Sequence, residues 1–250
     1  MYTSSFVLPI ALLASLVVAV PTPQQSAEPA SKPKNGTING TANDRSLVVQ
    51  LKTAATDADR LALIPNDLDW LFDFQDPPSG SVTEGKGGRT VRADRLSFPP
   101  LTETGVSMTL GFLDGCGFNT PHTHPRATEI NIVVDGRLVA DFTTGQGEKV
   151  IVNTVEKFQM TVFPQGVLHT EFNPDCTPAT FVAGFNNEDP GVQQAAQTLF
   201  ALQDEVVRAT LGNPEVIEGV DLEKFRSQIP PNVALGVEAC LKKCGLQKRK

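Results

Sequence analysis

The chain has 250 residues, 40% of them hydrophobic, and a formal net charge of -7 at pH 7. This length suits one domain with a substantial core, plus terminal extensions. Because proteins that bind nucleic acids present basic surfaces, the acidic balance argues against nucleic acid as a partner.

Residues 1–19 predict a signal peptide. An apolar run from Phe6 to Val20, interrupted once by Pro9, ends in small residues that suit signal-peptidase cleavage. The run is shorter than the roughly 20 apolar residues that a membrane-spanning helix needs. We therefore expect a secreted, extracellular protein without a membrane anchor.

Residues 20–46 predict a flexible leader. They are rich in Pro, Ser, Thr, Asn and Gly and poor in large apolar side chains, so they bury too little surface to offset the entropy of ordering. Two sequons, Asn35-Gly36-Thr37 and Asn39-Gly40-Thr41, predict glycosylation at Asn35 and Asn39.

Residues 47–250 predict a single domain that begins with a helix. Apolar residues recur with helical spacing from Ser46 to Leu63, with Ser46 as the N-cap, and Pro65 ends the pattern. Residues 66–88, with several prolines and glycines, are typical of a loop.

From about residue 90 to 187 the pattern changes to short apolar runs separated by turns. The predicted strands cover 106–113, 129–134, 137–142, 149–155, 159–163, 169–172 and 179–185. Asp135-Gly136 between two of them predicts a hairpin turn. Many short strands at this spacing indicate a β-sandwich or barrel, so the chain is predicted to be mainly β.

A helical tail is predicted over about residues 190–246. Helical spacing covers 192–200 and continues at 206–211 after a bend, and further helices are predicted at 221–227 and 232–241. The apolar stripe from Val192 to Phe200 suits either a subunit interface or packing on the chain's own barrel.

Four cysteines fit an oxidising compartment and allow three pairings. Cys240 and Cys244 lie four residues apart on one face of a predicted helix. Cys116 precedes the first histidine-containing segment and Cys176 follows the second. We predict the pairs Cys116–Cys176 and Cys240–Cys244, with four buried free thiols as the alternative.

All three histidines of the chain belong to two short segments. His122 and His124 are two residues apart, so on a strand their side chains point to the same face. Glu129 follows after a turn, and His169 follows the turn Phe163-Pro164-Gln165-Gly166, whose Pro and Gly suit a type I turn. The sequence therefore predicts one metal site with these four ligands.

Three imidazoles and a carboxylate occupy four positions of an octahedron and leave two for water or substrate, which makes the predicted site an open one. Nitrogen and oxygen donors without thiolate suit Mn, Fe, Ni or Zn. A single His-x-His pair usually binds nothing, and the metal interpretation depends on the four residues together.

These residues resemble the motifs of the germin-like proteins of the cupin superfamily, including their fungal and slime-mould spherulin-like relatives. The matching positions are His122-x-His124-x4-Glu129-x6-Gly136, Pro164-x-Gly166-x2-His169-x3-Asn173, and the block Phe185-Asn186-Asn187-Glu188-Asp189-Pro190-Gly191. The resemblance covers about residues 106–191. It departs at the glycine that opens each motif. In the first motif the expected position falls between Gly115 and Gly117, and in the second motif Phe158 stands in place of the glycine.

The resemblance implies a cupin jelly-roll β-barrel with an N-terminal helix and a C-terminal helical extension. It also implies Mn(II) held by His122, His124, Glu129 and His169, with Fe or Zn as alternatives, and assembly into homo-oligomers.

By the same resemblance, the expected function is that of a manganese-dependent oxidoreductase acting on oxalate, another small carboxylic acid, or superoxide. Asn119 matches an asparagine that lies near the metal in oxalate-handling germins, so we expect it to hydrogen-bond a substrate carboxylate, whereas Thr109 replaces its partner asparagine. The rival interpretation is a non-enzymatic extracellular or wall-associated protein with a structural metal. A cupin dioxygenase or sugar-modifying enzyme that uses Fe or Zn is a third.

Overall fold

The computed structural model describes residues 40–212 and 220–247. The N-terminal elements are α1 (Arg45–Thr53), α2 (Asp57–Ala62) and two 3-10 turns (Asp67–Trp70 and Pro99–Leu101). The strands are β1 (Val82–Gly85), β2 (Gly88–Ala93), β3 (Ser107–Leu113), β4 (Gly117–Thr123), β5 (Glu129–Asp135), β6 (Leu138–Thr144), β7 (Lys149–Val155), β8 (Met160–Phe163), β9 (His169–Phe172), β10 (Ala179–Phe185), β11 (Gln193–Gln194) and β12 (Ala234–Leu235). The C-terminal helices are α3 (Ala195–Leu199), α4 (Asp204–Thr210), α5 (Val220–Arg226) and α6 (Glu238–Lys243). The predicted signal peptide and the sequon asparagines lie outside the described residues.

The strands form two antiparallel sheets, in the orders β1-β2-β3-β10-β5-β8 and β11-β4-β9-β6-β7, with β12 paired to β4. Side chains from both sheets meet in one apolar core that includes Val133 and Phe181 of the first sheet and Leu138 and Ala140 of the second. The seven strands predicted from apolar runs correspond to β3 and β5–β10. The mainly β architecture with flanking helices is therefore confirmed.

The predicted hairpin at Asp135-Gly136 is wrong. β5 pairs with β8 and β10, whereas β6 pairs with β7 and β9, so this turn carries the chain from one sheet to the other. Gly136 has a φ of 69°, and a Cβ there would lie 2.9 Å from the Cβ of Ala179. Glycine is therefore needed at this position for the connection that carries the chain from one sheet to the other, and not for a hairpin turn.

The single N-terminal helix predicted from Ser46 to Leu63 is two helices. Asp44, not Ser46, caps α1 by accepting the N–H groups of Ser46 and Leu47. Thr56 then starts α2 by accepting the N–H of Asp59. A side chain that caps a new helix competes with continuation of the preceding one.

Three other segments differ from their predictions. Residues 193–194, predicted as part of a helix, form strand β11, which pairs with β4. Residues 66–88, predicted as a loop, contain strand β1. Residues 232–237, predicted as helical, are not a helix: a bend at 232–233 leads into β12, which pairs with β4, and helix α6 begins only at Glu238. Val233 and Ala234 are fully buried there, and the N–H of Gly87 donates to the carbonyl of Val233 at 3.2 Å. The burial of these two residues beside β4 depends on distant partners, which the local spacing of apolar residues does not reveal. It therefore determines the conformation in place of the helical spacing.

The predicted disulfide pairing is also wrong. The bonds are Cys116–Cys240 and Cys176–Cys244, with Cα–Cα distances of 5.6 and 5.3 Å. Cys240 and Cys244 share one face of α6, as expected, but that face is turned towards the barrel, where Cys116 and Cys176 lie. Each helix cysteine therefore bonds to the barrel and not to its neighbour, and α6 is fixed at two points.

Replacing Cys116 and Cys240 by alanine should lower the free energy of unfolding by about 2–5 kcal/mol, because the bond closes a loop of more than a hundred residues in the unfolded chain. Urea unfolding followed by circular dichroism measures the loss. Reduced wild-type protein, which lacks both bonds, should be at least as destabilised as the variant. An unchanged midpoint in the double variant would contradict the pairing.

Candidate metal centre

Four buried side chains converge at one end of the core. His122 lies near the end of β4 and His124 just beyond it, while Glu129 and His169 begin β5 and β9. His122 is the register partner of His169 in the second sheet. Glu129 comes from the first sheet rather than from a strand adjacent to β4, so the site bridges the two sheets. The ligand atoms of all four residues lie within 4.8 Å of one another.

Each imidazole is oriented by a backbone carbonyl. The Nδ1 atoms of His122, His124 and His169 lie 2.9, 2.6 and 2.9 Å from the carbonyl oxygens of Thr120, Gly191 and Val167. Because a carbonyl can only accept, Nδ1 carries the hydrogen in each neutral ring, and the lone pair is on Nε2. This supplies the outer-shell partners that metal-binding histidines require.

The Nε2 atoms face the carboxylate of Glu129. Its Oε2 lies 3.1 Å from Nε2 of His124 and 3.3 Å from Nε2 of His169, and the latter nitrogen is buried without a hydrogen-bond partner among the described residues. Lone pairs placed this close in a buried site repel unless a cation lies between them, either a proton on Nε2 or a metal ion. The donor set therefore fits a divalent metal such as Mn, Fe or Zn, and leaves coordination positions open.

Two phenylalanines restrain the histidine rings. Phe163 stacks on His169, with ring centroids 4.3 Å apart and planes at 19°, and Phe185 packs against His124 at 4.6 Å.

Two residues after Phe163 the chain turns differently from the predicted type I turn. The N–H of Val167 donates to Pro164, which puts Gly166 (φ 79°) at the third position, as in a type II turn.

Burial lowers the pKa of His122 from 6.5 to about 3, with a further contribution from His169. At His169 burial also acts to lower the pKa, but the contact with Glu129 and the charge of Glu171 outweigh it, and the net pKa is raised. For Glu129, burial alone would raise the pKa, but the contacts from His124 and His169 outweigh it, and the net pKa is lowered. In the metal-free protein His122 is thus a neutral ligand and Glu129 an anionic one.

A second buried carboxyl group, Glu171, was missed in the sequence. Asn131 Nδ2 donates to both carboxyl groups, to Glu129 Oε1 at 3.0 Å and to Glu171 Oε1 at 3.2 Å. Burial, together with the charge of Glu129, raises the pKa of Glu171 from 4.5 to about 8. Strand alternation could have found both residues, since Asn131 is two positions from Glu129, and Glu171 two from His169.

Asn119, predicted to contact substrate, is buried beside the metal ligands. Its Nδ2 donates to Glu171 Oε2 at 3.0 Å, and its Oδ1 accepts from Nδ2 of Asn232 at 2.6 Å. Asn232 in turn accepts the N–H of Thr120 at 2.8 Å. The C-terminal segment thus reaches the centre through Asn232, a contact with no signal in the sequence. Substrate contact by Asn119 remains a prediction.

A cavity of about 420 Å³ opens beside three of the ligands, His122, His124 and Glu129. Its remaining lining comes from β1, β2, β3 and β10 on one side and from β4, the segment 192–197 and the C-terminal segment 231–232 on the other. A molecule bound in this cavity can reach the open positions of a metal at the centre.

The two departures from the motif glycines have a common structural reason. Cys116, at the expected place of the first glycine, and Phe158, at the second, adopt φ angles of 63° and 64°. These are left-handed conformations, which glycine adopts freely and other residues adopt at a cost of about 1–2 kcal/mol. The backbone geometry is therefore kept at both positions although the residue is not glycine.

Comparison with known proteins agrees with this fold and site. The sequence pattern of the cupin family matches residues 72–214, more than half of the chain. The chain belongs to the cupin family. Spherulin-1A of Physarum polycephalum is 44% identical over 208 residues, which cover 83% of this chain and 82% of that protein. Germin-like protein 5-1 of Oryza sativa subsp. japonica is 32% identical over 227 residues, 90% of this chain and 96% of that protein.

Two solved structures are similar to this cupin in fold. Oxalate oxidase in complex with the substrate analogue glycolate superposes with a TM-score of 0.56 and 29% identity, over 65% of this chain and 83% of that chain. A Bacillus subtilis oxalate decarboxylase superposes at 0.51 with 18% identity, over 62% of this chain and 37% of that chain, which shows a likeness of fold alone. The two facing sheets are thus the jelly roll of the cupins.

Replacing His169 by alanine should weaken metal binding, because one of four protein ligands is lost. The loss should exceed the roughly 10–100-fold that removal of an outer-shell partner costs. Metal content after dialysis against a limiting Mn(II) concentration measures it, with Thr154→Ala, an exposed substitution on β7, as the control. Full occupancy of the site by manganese in the His169 variant would show that His169 is not a metal ligand.

Glu171 should make the metal-free protein less stable at pH 8 than at pH 5. Between pH 4.5 and about 8 the folded chain holds a proton that the unfolded chain has released, so stability falls as the pH rises, by about 1.4 kcal/mol for each pKa unit. Glu171→Gln should remove most of this fall in thermal or urea unfolding. The exposed substitution Glu84→Gln on β1 should follow the wild type; a Glu171 variant with the wild-type pH profile would contradict the raised pKa.

Proposed function

We propose that this cupin is a secreted, manganese-dependent oxidoreductase that acts on a small carboxylic acid, with oxalate as the first candidate. The observation that carries the proposal is the group of three imidazoles and one carboxylate at the wall of a cavity wide enough for a ligand. The likeness to an oxalate oxidase solved with the substrate analogue glycolate supports the choice of acid.

Manganese is the first candidate because the site residues resemble the motifs of germin-like proteins; the nitrogen and carboxylate donors without sulfur suit Mn(II), as they also suit Fe or Zn. When bound, the metal would supply Lewis acidity and redox capacity at the open positions. His122, His124, Glu129 and His169 would hold it, and the three backbone carbonyls would keep their Nε2 atoms directed at it.

The proposed reaction breaks the C–C bond of oxalic acid and releases two molecules of carbon dioxide. The two electrons and two protons pass to dioxygen, which leaves as hydrogen peroxide. In this proposal Asn119 donates a hydrogen bond to the acid from the cavity wall. Thr109, also in the cavity lining, offers a hydroxyl where oxalate-handling germins have an amide. The hydrogen bonding to the acid would therefore differ at this position.

Two other candidates use the same centre. Superoxide dismutation, which converts two superoxide ions and two protons into dioxygen and hydrogen peroxide, needs only an open redox metal. A structural metal without turnover is favoured by the burial of all four ligands and by the missing second amide at Thr109. The experiment below separates the three.

Secretion, glycosylation at Asn35 and Asn39, and assembly into homo-oligomers remain proposals. The two disulfides fit an oxidising compartment. Within the described residues, no helix is long and apolar enough to cross a membrane. Exposed apolar side chains such as Val192, Val206 and Met160 are available for subunit contacts.

Manganese-loaded protein should consume oxalate under air, and the products identify the reaction. Equal consumption of oxalate and dioxygen with hydrogen peroxide and carbon dioxide establishes an oxidase, whereas formate indicates a decarboxylase. His169→Ala, which should lack metal, is the control for trace manganese in solution. No consumption by protein shown to hold manganese would rule out oxalate; a superoxide assay on the same sample then decides between dismutation and a structural metal.

A further inference from the structure

The cavity beside the metal centre is larger than oxalate requires. It measures about 420 Å³. Oxalate has only six non-hydrogen atoms, and at about 30 Å³ for each, the volume of a water molecule in the liquid, it would fill less than half of that space. The outer part of the cavity has room for a longer molecule.

One wall of this outer part is a row of hydroxyl groups on the inner face of the first sheet. Thr83 and Thr90 are register partners in β1 and β2, and Thr109 is the partner of Arg92 in β2 and β3. All four residues line the cavity. Each threonine hydroxyl can both donate to and accept from a ligand.

The opposite wall carries amides. Gln197 donates from Nε2 to the carbonyl of Pro230 at 2.8 Å, while its Oε1 is buried with no hydrogen-bond partner within the described parts of the chain. Gln194 accepts from the hydroxyl of Thr120 through its Oε1, which leaves its Nε2 for a ligand. An acceptor left unsatisfied in a buried position is costly, and a ligand hydroxyl would satisfy it, whereas a carboxylate would not.

The outer cavity carries little net charge. Among the described residues, Arg92 is the one lysine or arginine in the lining, and its charge is matched by Asp94, with Nε donating to Oδ2 at 2.9 Å. Its Nη2 donates to the carbonyl of Gly80 at 2.7 Å. A second carboxylate on the ligand would therefore find no unpaired cation among the lining residues that the structure describes, but neutral hydroxyl groups would find donors and acceptors on both walls.

We propose that the cavity binds a hydroxylated monocarboxylic acid of sugar-acid type, longer than oxalate. Its carboxylate end lies at the metal centre, and its outer hydroxyls contact the threonine row on one wall and the glutamines on the other. This inference rests on the proposed function to the extent that an acid group binds at the centre. It adds the class of molecule that fills the remaining volume.

Calorimetric binding of two matched acids to manganese-loaded protein tests the inference. Gluconate and 2-hydroxyhexanoate share the carbon chain length and the α-hydroxy acid end that can chelate a metal, and they differ only in the outer hydroxyls. Gluconate should bind about tenfold more tightly or better, the factor that one or two net hydrogen bonds provide. Equal or weaker binding of gluconate would overturn the inference, because the apolar side chains in the lining would then determine binding.

A variant links the preference to the threonine row. Thr83→Val combined with Thr90→Val keeps the side-chain shape and removes two hydroxyls, so the preference for gluconate should fall several-fold while the manganese content stays unchanged. The control is Thr154→Val, an exposed substitution on β7, which should keep the wild-type preference. A double variant that keeps the full preference would contradict the assigned wall.

Oxalate, titrated in the same experiment, separates this inference from the proposed function. If oxalate binds and is consumed but gluconate shows no advantage over 2-hydroxyhexanoate, the proposed function stands and the sugar-acid inference fails. If none of the three acids binds protein that holds manganese, both fail.

Discussion

The site depends on three hydrogen bonds from imidazole Nδ1 atoms to backbone carbonyls. Two are local, since Thr120 and Val167 each precede the histidine they orient by two residues. The third is long-range: the carbonyl of Gly191 lies beyond β10, 67 positions from His124. With Nδ1 engaged in every ring, the Nε2 atoms face the Glu129 carboxylate, so a cation between them, a proton or a metal ion, is what stabilises the arrangement.

The long-range bond gives the segment after β10 a structural purpose. Arg126, just beyond the His-x-His pair, donates to the carbonyl of Asp189 and to its carboxylate, both at 2.7 Å. The N–H of Arg126 also donates to the carbonyl of Pro190. These contacts fix the turn that presents Gly191 to His124. The Asp-Pro-Gly block that matched germin-like sequences is therefore part of the support of the metal centre, not only a strand terminator.

Sequence reasoning recovered what local periodicity determines and missed what distant contacts determine. The three histidines and Glu129 stand in short segments whose spacing and turns identify them, whereas Asn131 and Glu171 were missed although strand alternation could have identified them. Asp135-Gly136 illustrates the limit: the dipeptide signals a tight turn, but whether the next strand returns beside β5 or crosses to the other sheet depends on partners far away in the chain.

The disulfides and the C-terminal extension show the same limit more strongly. Spacing places Cys240 and Cys244 on one face of α6, yet which thiols they meet depends on how the helix docks. Asn232 has no sequence feature that links it to Asn119, 113 positions earlier.

The docking of α6 connects the covalent bonds to the geometry of the centre. The two disulfides fix α6 to the barrel beside β4, and β12, just before the helix, pairs with the first residues of the same strand. Asn232 lies two residues before β12, so it is held over β4 where it accepts from Thr120 and donates to Asn119. Asn119 in turn donates to Glu171, which shares the amide of Asn131 with the metal ligand Glu129. A continuous chain of hydrogen bonds thus runs from the disulfide-fixed C-terminus to the carboxylate of the metal centre. For this reason the cysteines contribute to the alignment of the site as well as to the stability of the fold, although none of them lies among the metal ligands.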